Sequence, residues 1–218
     1  MRKIKANFFL YLVTDNTIIG ERDFFEVIKE AVEAGVTIVQ LREINISDRE
    51  FIAKANKLKE ILSAKNIPLI INNRCDIASA VNAEGVHLGQ NDLPIEYARK
   101  ILGKRKIIGV SANNVEEAIE AQNKGADYIA AGPIFFTPTK VDIRTPIGLD
   151  GLEKMRRYVK APLIAIGGIN RENVREVIKR GVDGVAVVSA IMASSEPYKA
   201  TKELLKIIEE TKNLREFR

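Results

Sequence analysis

Eight short runs of aliphatic and β-branched residues recur along the chain, and an amphipathic helical pattern follows each of them. The runs are apolar at consecutive positions, which is typical of parallel strands that are covered on both faces. Parallel strands need a crossover connection, and each helical pattern is long enough to supply one. The predicted strands cover residues 9–13, 38–41, 69–71, 85–88, 107–110, 128–131, 163–166 and 184–188.

Eight strand-then-helix units in 218 residues predict a single (β/α)8 barrel, a TIM barrel, in one domain over residues 1–218. A doubly wound open sheet is the alternative. Gly35, Gly125 and Gly181 each stand between a helix and the next strand, where a left-handed helix end is expected. The predicted helices cover residues 24–34, 48–65, 75–81, 94–102, 115–124, 149–158, 173–180 and 198–213.

Composition excludes several function classes. Cys75 is the single cysteine, which rules out an intramolecular disulfide and a Cys-based zinc site, so we expect a cytoplasmic location. Every apolar run is far shorter than the roughly 20 residues that a membrane span needs, so no membrane partner is expected. Lysine and glutamate alternate along the predicted helices, so the net charge of +5 indicates a solvated surface and no nucleic-acid partner. A homo-oligomer stays open.

Barrel enzymes carry their active sites at the carboxyl ends of the strands, and this rule selects a set of polar residues. The set is rich in cations, amides, hydroxyls and glycines and poor in carboxylates, so it suits phosphorylated small molecules better than hydrolysis by paired carboxylates. It comprises Gln40, Arg42, Glu43, Asn72, Asn73, Arg74, Gly89, Gln90, Asp92, Ser111, Thr137, Thr139, Lys140, Gly167, Gly168 and Ser189.

Gly167 and Gly168 follow the seventh strand, and Ser189 follows the eighth. Adjacent glycines let backbone N–H groups approach a phosphate, and barrel phosphate sites commonly form after these two strands. A tight turn that merely needs glycine is the structural alternative.

Several other polar residues have two interpretations. Arg42 is expected to point into the barrel mouth, or else to pair with Glu43 on the surface. Asp92 is expected to bind Mg²⁺, or else to cap the helix that begins near Pro94. Asp15 either lines the mouth or forms a turn.

The remaining reactive side chains have structural interpretations. His87, the single histidine, lies inside the fourth strand and is expected to be buried and hydrogen-bonded. Cys75 opens an amphipathic helix and is expected to pack there.

Ordered motifs run across nearly the whole chain. The most specific is Gly132-Pro-Ile-Phe-Phe-Thr-Pro-Thr-Lys140. The others are Tyr11-Leu-Val-Thr-Asp15, Val39-Gln-Leu-Arg-Glu43, Gly85-Val-His-Leu-Gly-Gln90, Gly109-Val-Ser-Ala112, Ala126-Asp-Tyr-Ile129, Ala165-Ile-Gly-Gly-Ile169 and Val185-Ala-Val-Val-Ser-Ala-Ile191. Together these motifs resemble those of the thiamine phosphate synthase family.

The resemblance implies a transferase that uses Mg²⁺. It condenses 4-amino-2-methyl-5-hydroxymethylpyrimidine diphosphate with a carboxylated thiazole phosphate to give thiamine monophosphate and pyrophosphate. The implied path is dissociative, through a pyrimidine-methyl cation, so it needs stabilisation of the departing charge more than a strong base.

The resemblance also implies residue roles. Gln40, Arg42, Asn72, Ser111 and Lys140 would hold the pyrimidine diphosphate, and Lys140, Ser111 and Arg42 would act in catalysis. Thr137, Thr139, Gly168, Val188 and Ser189 would bind the thiazole phosphate, and Asp92 and Asn73 would hold Mg²⁺.

Three positions depart from the family pattern. Ile44 stands where the family usually has lysine, Asn73 where it has an aspartate metal ligand, and Asn113 where it often has histidine. Two alternatives therefore stay open. One is a thiazole tautomerase-like paralogue, whose histidine base would fall at Asn113, and the other is a non-catalytic descendant that binds phosphorylated ligands.

We predict that Lys140→Ala lowers turnover about 100-fold or more while the fold stays intact, because a transition-state charge partner is lost. Steady-state rates and a melting curve check this expectation. Near-normal turnover would contradict the assignment of Lys140.

Overall fold

A computed structural model describes residues 6–137 and 145–216. Its eight strands follow one another in chain order around a closed barrel, and every neighbouring pair is parallel, including β1 with β8. This closure confirms the (β/α)8 barrel and excludes the open sheet. The strands are β1 Leu10–Val13, β2 Ile38–Leu41, β3 Leu69–Asn72, β4 Gly85–Leu88, β5 Ile107–Ala112, β6 Tyr128–Ala131, β7 Leu163–Ile166 and β8 Gly184–Val187.

Helices cover the outside of the barrel. Residues Gly35, Gly125 and Gly181 have φ of 117°, 84° and 89°, which confirms the predicted left-handed conformation after each helix. Within the described residues, no helix is long and apolar enough to cross a bilayer. The helices are α1 Phe24–Ala34, α2 Asp48–Ser63, α3 Cys75–Ala80, α4 Ile95–Leu102, α5 Val115–Asn123, α6 Gly148–Tyr158, α7 Val174–Lys179, α8 Ser189–Met192 and α9 Pro197–Glu216.

Alternate residues of each strand face two separate hydrophobic clusters. In β1, Leu10 and Leu12 belong to the larger cluster between the strands and the helices, and Tyr11 and Val13 belong to the smaller one inside the barrel. This alternation follows from the two-residue period of a strand.

Tyr128 is the largest side chain of the interior cluster, together with Tyr11. Its ring passes directly over Gly109, its neighbour in the β5–β6 register, and any Cβ at position 109 would overlap that ring. Phe8 packs on the same ring, with 4.8 Å between the ring centroids. The glycine at 109 is therefore the reason that a tyrosine fits inside the barrel.

Four repeated clamps close the amino-terminal end of the barrel. Each clamp joins the residue just before an even-numbered strand to a residue at the start of the preceding odd-numbered strand. The side chain of the first residue accepts a hydrogen bond from the backbone N–H of the second, at 2.8 to 3.1 Å. The backbone N–H of the first residue donates back to the carbonyl of the second, at 2.7 to 3.0 Å. The pairs are Thr37 with Leu10, Glu84 with Leu69, Asp127 with Ile108, and Asp183 with Leu163.

We predict that Asp127→Ala destabilises the protein by about 1–3 kcal/mol, because the buried N–H of Ile108 loses its acceptor. Arg99 Nη2, which donates to the same Asp127 oxygen at 2.7 Å, loses that acceptor as well, although Nη1 keeps the carbonyls of Gly103 and Lys106. Asp127→Asn is the matched control, since an amide oxygen can still accept, and we expect it to lose less. Urea unfolding measures both, and an alanine variant as stable as wild type would contradict the clamp.

Candidate active site

A cavity of about 170 Å³ lies at the carboxyl ends of the strands. It brings together eight of the ten residues that the resemblance implies for substrate binding: Gln40, Arg42, Asn72, Ser111, Thr137, Gly168, Val188 and Ser189. Thr139 and Lys140 lie outside the described residues. The geometry is therefore that of a shared pocket, as the barrel rule predicts, and the roles of the individual residues stay predictions.

Arg42 is held in the mouth by the end of β1. Its Nη1 lies 3.3 Å from Oδ2 of Asp15, and its backbone N–H donates to Oγ1 of the fully buried Thr14 at 3.1 Å. The alternative of a surface pair between Arg42 and Glu43 is wrong, because Glu43 pairs with Lys54 at 2.7 Å. Among the described lining residues, Arg42 is the one cation.

Asp15 forms a turn, which is one of the two alternatives that the sequence left open, and it is not among the residues that line the cavity. Its Oδ1 accepts from the N–H and the hydroxyl of Thr17, at 2.9 and 2.6 Å, and so it forms a turn. Its Oδ2 faces Arg42. The turn thus holds the carboxylate in the position from which it orients the guanidinium.

A chain of hydrogen bonds crosses the barrel beneath the cavity and joins two of the predicted ligand contacts. Gln40 Nε2 donates to Tyr11 Oη at 2.8 Å, and Tyr11 Oη lies 2.9 Å from Tyr128 Oη. Tyr128 Oη lies 2.8 Å from His87 Nδ1, and His87 Nε2 lies 2.9 Å from Ser111 Oγ. Burial raises the pKa of both phenols, so both keep their protons.

The prediction of a buried, hydrogen-bonded His87 is confirmed, but the sequence reasoning did not select Tyr11 or Tyr128. That reasoning took only residues at strand ends, and these two tyrosines lie early in β1 and β6. Their long side chains bring the hydroxyls to the level of the site. The sequence signal that could have identified Tyr128 is Gly109, the residue opposite it in the sheet.

The two glycines after β7 are required by close packing as well as by conformation. Gly167 and Gly168 have φ of 99° and 67°, a region that side chains rarely adopt. A Cβ at 167 would lie 2.6 Å from Pro133, and one at 168 would lie 2.7 Å from Phe135. The glycines therefore bring the loops after β6 and β7 together at the wall of the cavity.

Asp92 and Asn73 do not line the main cavity. Asp92 lines an adjoining recess, which shares Gly89 and Gln90 with the cavity. Its Oδ2 accepts the N–H of Gly89 at 2.6 Å. The alternative of a helix cap is wrong, because α4 begins after Pro94 without a side-chain cap. Asn73 is exposed, with φ of 62°, directly after β3.

These two residues offer hard oxygen donors, which suit Mg²⁺. The strands that precede them, β3 and β4, are neighbours, so their loops leave the barrel side by side. Within residues 6–137 and 145–216, no group of three or more His, Cys, Asp or Glu side chains could hold a metal ion. The donor set fits a cation that takes most of its ligands from water and from substrate phosphates.

Two of the positions that depart from the family pattern have clear surroundings. Ile44 is 52% exposed in the loop after β2. Asn113 Nδ2 donates to the carbonyls of Gly132 and Thr145, at 3.2 and 3.3 Å, so it ties together the two sides of the loop after β6. An amide engaged in this way has no basic atom to offer a substrate.

Cys75 opens α3 and is 4% exposed, so the prediction of a packing role is confirmed. Burial is the main cause that raises the pKa of its thiol to about 11. The thiol therefore stays protonated near neutral pH and is a poor nucleophile there.

A closed (β/α)8 barrel with an arginine, amides, hydroxyls and a glycine pair at its mouth defines a class: barrel enzymes that act on phosphorylated small molecules. The family model for thiamine monophosphate synthase matches residues 10–191. A thiamine-phosphate synthase of Clostridium novyi (strain NT) is 51% identical over 201 residues, covering 92% of this chain and 98% of that protein. The chain belongs to the thiamine monophosphate synthase family, which confirms the resemblance in the motifs.

Solved structures agree. Thiamine phosphate pyrophosphorylase from Pyrococcus furiosus has a TM-score of 0.86 and 43% identity, covering 94% of this chain and 98% of that one. A 3-hexulose-6-phosphate synthase from Salmonella typhimurium has a TM-score of 0.71 at 20% identity, covering 93% and 99% of the two chains. The second similarity shows the barrel fold alone.

We predict that Ile44→Lys leaves the melting temperature unchanged and strengthens inhibition by pyrophosphate. The side chain is half exposed, so the new ammonium stays in solvent, two residues from Arg42. Ile44→Gln is the neutral control, since it removes the apolar surface without adding charge. Unchanged inhibition in the lysine variant would show that position 44 is remote from the diphosphate.

Proposed function

We propose that this chain is a thiamine-phosphate synthase that works at the barrel mouth. It joins an aminopyrimidine-methyl diphosphate to a carboxylated thiazole phosphate and releases pyrophosphate and, from the carboxylate, carbon dioxide. Its partners are therefore phosphorylated small molecules, and its proposed location is the cytoplasm. The single observation that carries the proposal is that eight of the ten residues expected to bind the two substrates line one cavity, the other two lying outside the described residues. The names of the relatives support the same reaction.

The pyrimidine diphosphate occupies the side of the mouth formed by β2, β3 and β5, where Gln40, Asn72 and Ser111 face the cavity. Arg42 stabilises the charge of the departing diphosphate. Because Asp15 holds its guanidinium in place, little reorganisation is needed as the charge develops. Lys140 is proposed to add the second cation.

The thiazole phosphate occupies the opposite side, where Gly168, Val188 and Ser189 follow β7 and β8, and Thr137 and Thr139 belong to the loop after β6. The hydroxyls donate hydrogen bonds, and the glycine leaves room for a phosphate to approach the backbone. In this proposed arrangement the thiazole and the pyrimidine share a single cavity, as attack of the thiazole nitrogen on the pyrimidine-methyl cation requires.

Mg²⁺ completes the proposed site. Asp92 and Asn73 would hold it, and the bound ion would neutralise charge on the diphosphate as that group leaves. Asp92 supplies the one carboxylate, and its hydrogen bond from Gly89 keeps it directed at the recess beside the cavity. Asn73 supplies a neutral oxygen in place of a second charge.

The deciding experiment supplies the purified protein with both substrates and Mg²⁺ and measures the thiamine monophosphate and pyrophosphate that form. We expect the two products in equal amounts. A tautomerase would convert the thiazole phosphate without the pyrimidine, and a non-catalytic descendant would bind both ligands without product. Either result would overturn the proposal. The amide of Asn113, bonded to two carbonyls, argues against the first of these alternatives.

We predict that Asn73→Asp lowers the Mg²⁺ concentration that gives half-maximal activity, because a carboxylate adds charge to a hard oxygen site. Asn82 is the matched control, since it also has positive φ, at 52°, and lies after α3, away from the mouth cavity. Asn82→Asp should leave the magnesium dependence unchanged. Equal half-saturation in Asn73→Asp and wild type would remove Asn73 from the proposed metal site.

A further inference from the structure

The donor at one end of the hydrogen-bonded chain favours one direction for the whole of it. Gln40 Nε2 donates to Tyr11 Oη, which leaves the single proton of Tyr11 for Tyr128 Oη, 2.9 Å away. In this direction Tyr128 gives its single proton to Nδ1 of His87, 2.8 Å away. A neutral imidazole that accepts at Nδ1 carries its proton on Nε2, so in the same direction His87 donates to Ser111 Oγ.

This direction determines what the two ends of the chain offer to the cavity. Gln40 gives one N–H of its Nε2 to Tyr11, and we take its Oε1, a pure acceptor, as the atom that meets a ligand in the cavity that Gln40 lines. Ser111 accepts from His87, so its own hydroxyl proton is the one it gives to a ligand. The Gln40 end of the chain therefore binds a hydrogen-bond donor of the ligand, and the Ser111 end binds an acceptor of the ligand.

We propose that Tyr11, Tyr128 and His87 are positioning residues that hold Gln40 as an acceptor and Ser111 as a donor, and so select an aminopyrimidine over the corresponding oxopyrimidine. The inference rests on the proposed function, because it takes Gln40 and Ser111 as contacts of the pyrimidine. An amino group donates, and its adjacent ring nitrogen accepts. In the oxo form, the carbonyl accepts and the ring N–H donates, so both contacts are reversed.

The selectivity follows from the linkage between the two ends. If Gln40 turns its amide over to present its N–H groups to the oxo form, its Oε1 faces Tyr11, and every proton along the chain then moves to the other partner of its hydrogen bond. Both phenols are buried, so a partial reversal leaves a polar group unpaired inside the barrel. A broken chain removes this linkage, because each end then reorients by itself.

The first test uses the wild-type protein. His87 is the single histidine of the chain, so ¹⁵N labelling of histidine gives one imidazole to observe by NMR. We expect the neutral tautomer with its proton on Nε2, both in the free protein and with the aminopyrimidine diphosphate bound. A proton on Nδ1 would mean the opposite direction and would overturn the proposal.

The second test breaks the chain at two different bonds, with Tyr128→Phe and Tyr11→Phe. Calorimetry without the thiazole substrate measures the binding of the aminopyrimidine diphosphate and of its 4-oxo analogue, so no turnover occurs. We expect wild type to prefer the amino form by about tenfold or more, which is the scale of one mispaired hydrogen bond, and each variant to lose most of that preference. In turnover, KM should rise for the pyrimidine substrate alone.

Thr201→Val is the matched control, because it also removes a fully buried hydroxyl, one that donates to the carbonyl of Pro197 within α9. It should keep the wild-type preference even where its melting temperature falls. If the wild-type protein makes product and both tyrosine variants keep the wild-type preference for the amino form, the inference is overturned and the proposed function stands. Wild type that neither binds the pyrimidine nor makes product would overturn the proposed function.

Discussion

The hydroxyl of Tyr128 lies near the centre of the barrel, and it can lie there only because Gly109 on the neighbouring strand has no side chain. A parallel barrel interior is normally filled by branched aliphatic residues. Here a ring takes that space and carries a polar atom into it, and the polar atom demands partners. Tyr11 and His87 supply them, and through these two residues the packing of the interior is connected to the groups that face the ligand.

The motif at the end of β1 shows how one short segment supports the mouth from two sides. Tyr11 enters the hydrogen-bonded chain, and Thr14 and Asp15 hold the backbone and the guanidinium of Arg42. None of these three residues was expected to contact a substrate, but each orients a residue that was. A sequence motif of this kind therefore contains residues that orient a binding site as well as residues that belong to it.

The fold could be predicted closely because it depends on local patterns: the apolar period, the helix ends and the glycines after the helices. The same reasoning located the mouth residues, since a parallel barrel carries its strand ends on one rim. It could not find Tyr11 or Tyr128, because a tyrosine within an apolar strand looks like any other core residue. It could not assign Asp92 either, because the hydrogen bond from Gly89 depends on how the loop folds back.

The four clamps at the amino-terminal end give the barrel a modular organisation. Each clamp lies within one consecutive strand pair, so β1–β2, β3–β4, β5–β6 and β7–β8 are four cassettes, each fastened by its own side chain. If the chain is cut between two cassettes, both residues of every clamp remain on the same piece of chain. A cut inside a cassette puts the two residues of its clamp on different pieces. The connection between α2 and β3 is therefore a better place to open this chain than the connection between α1 and β2.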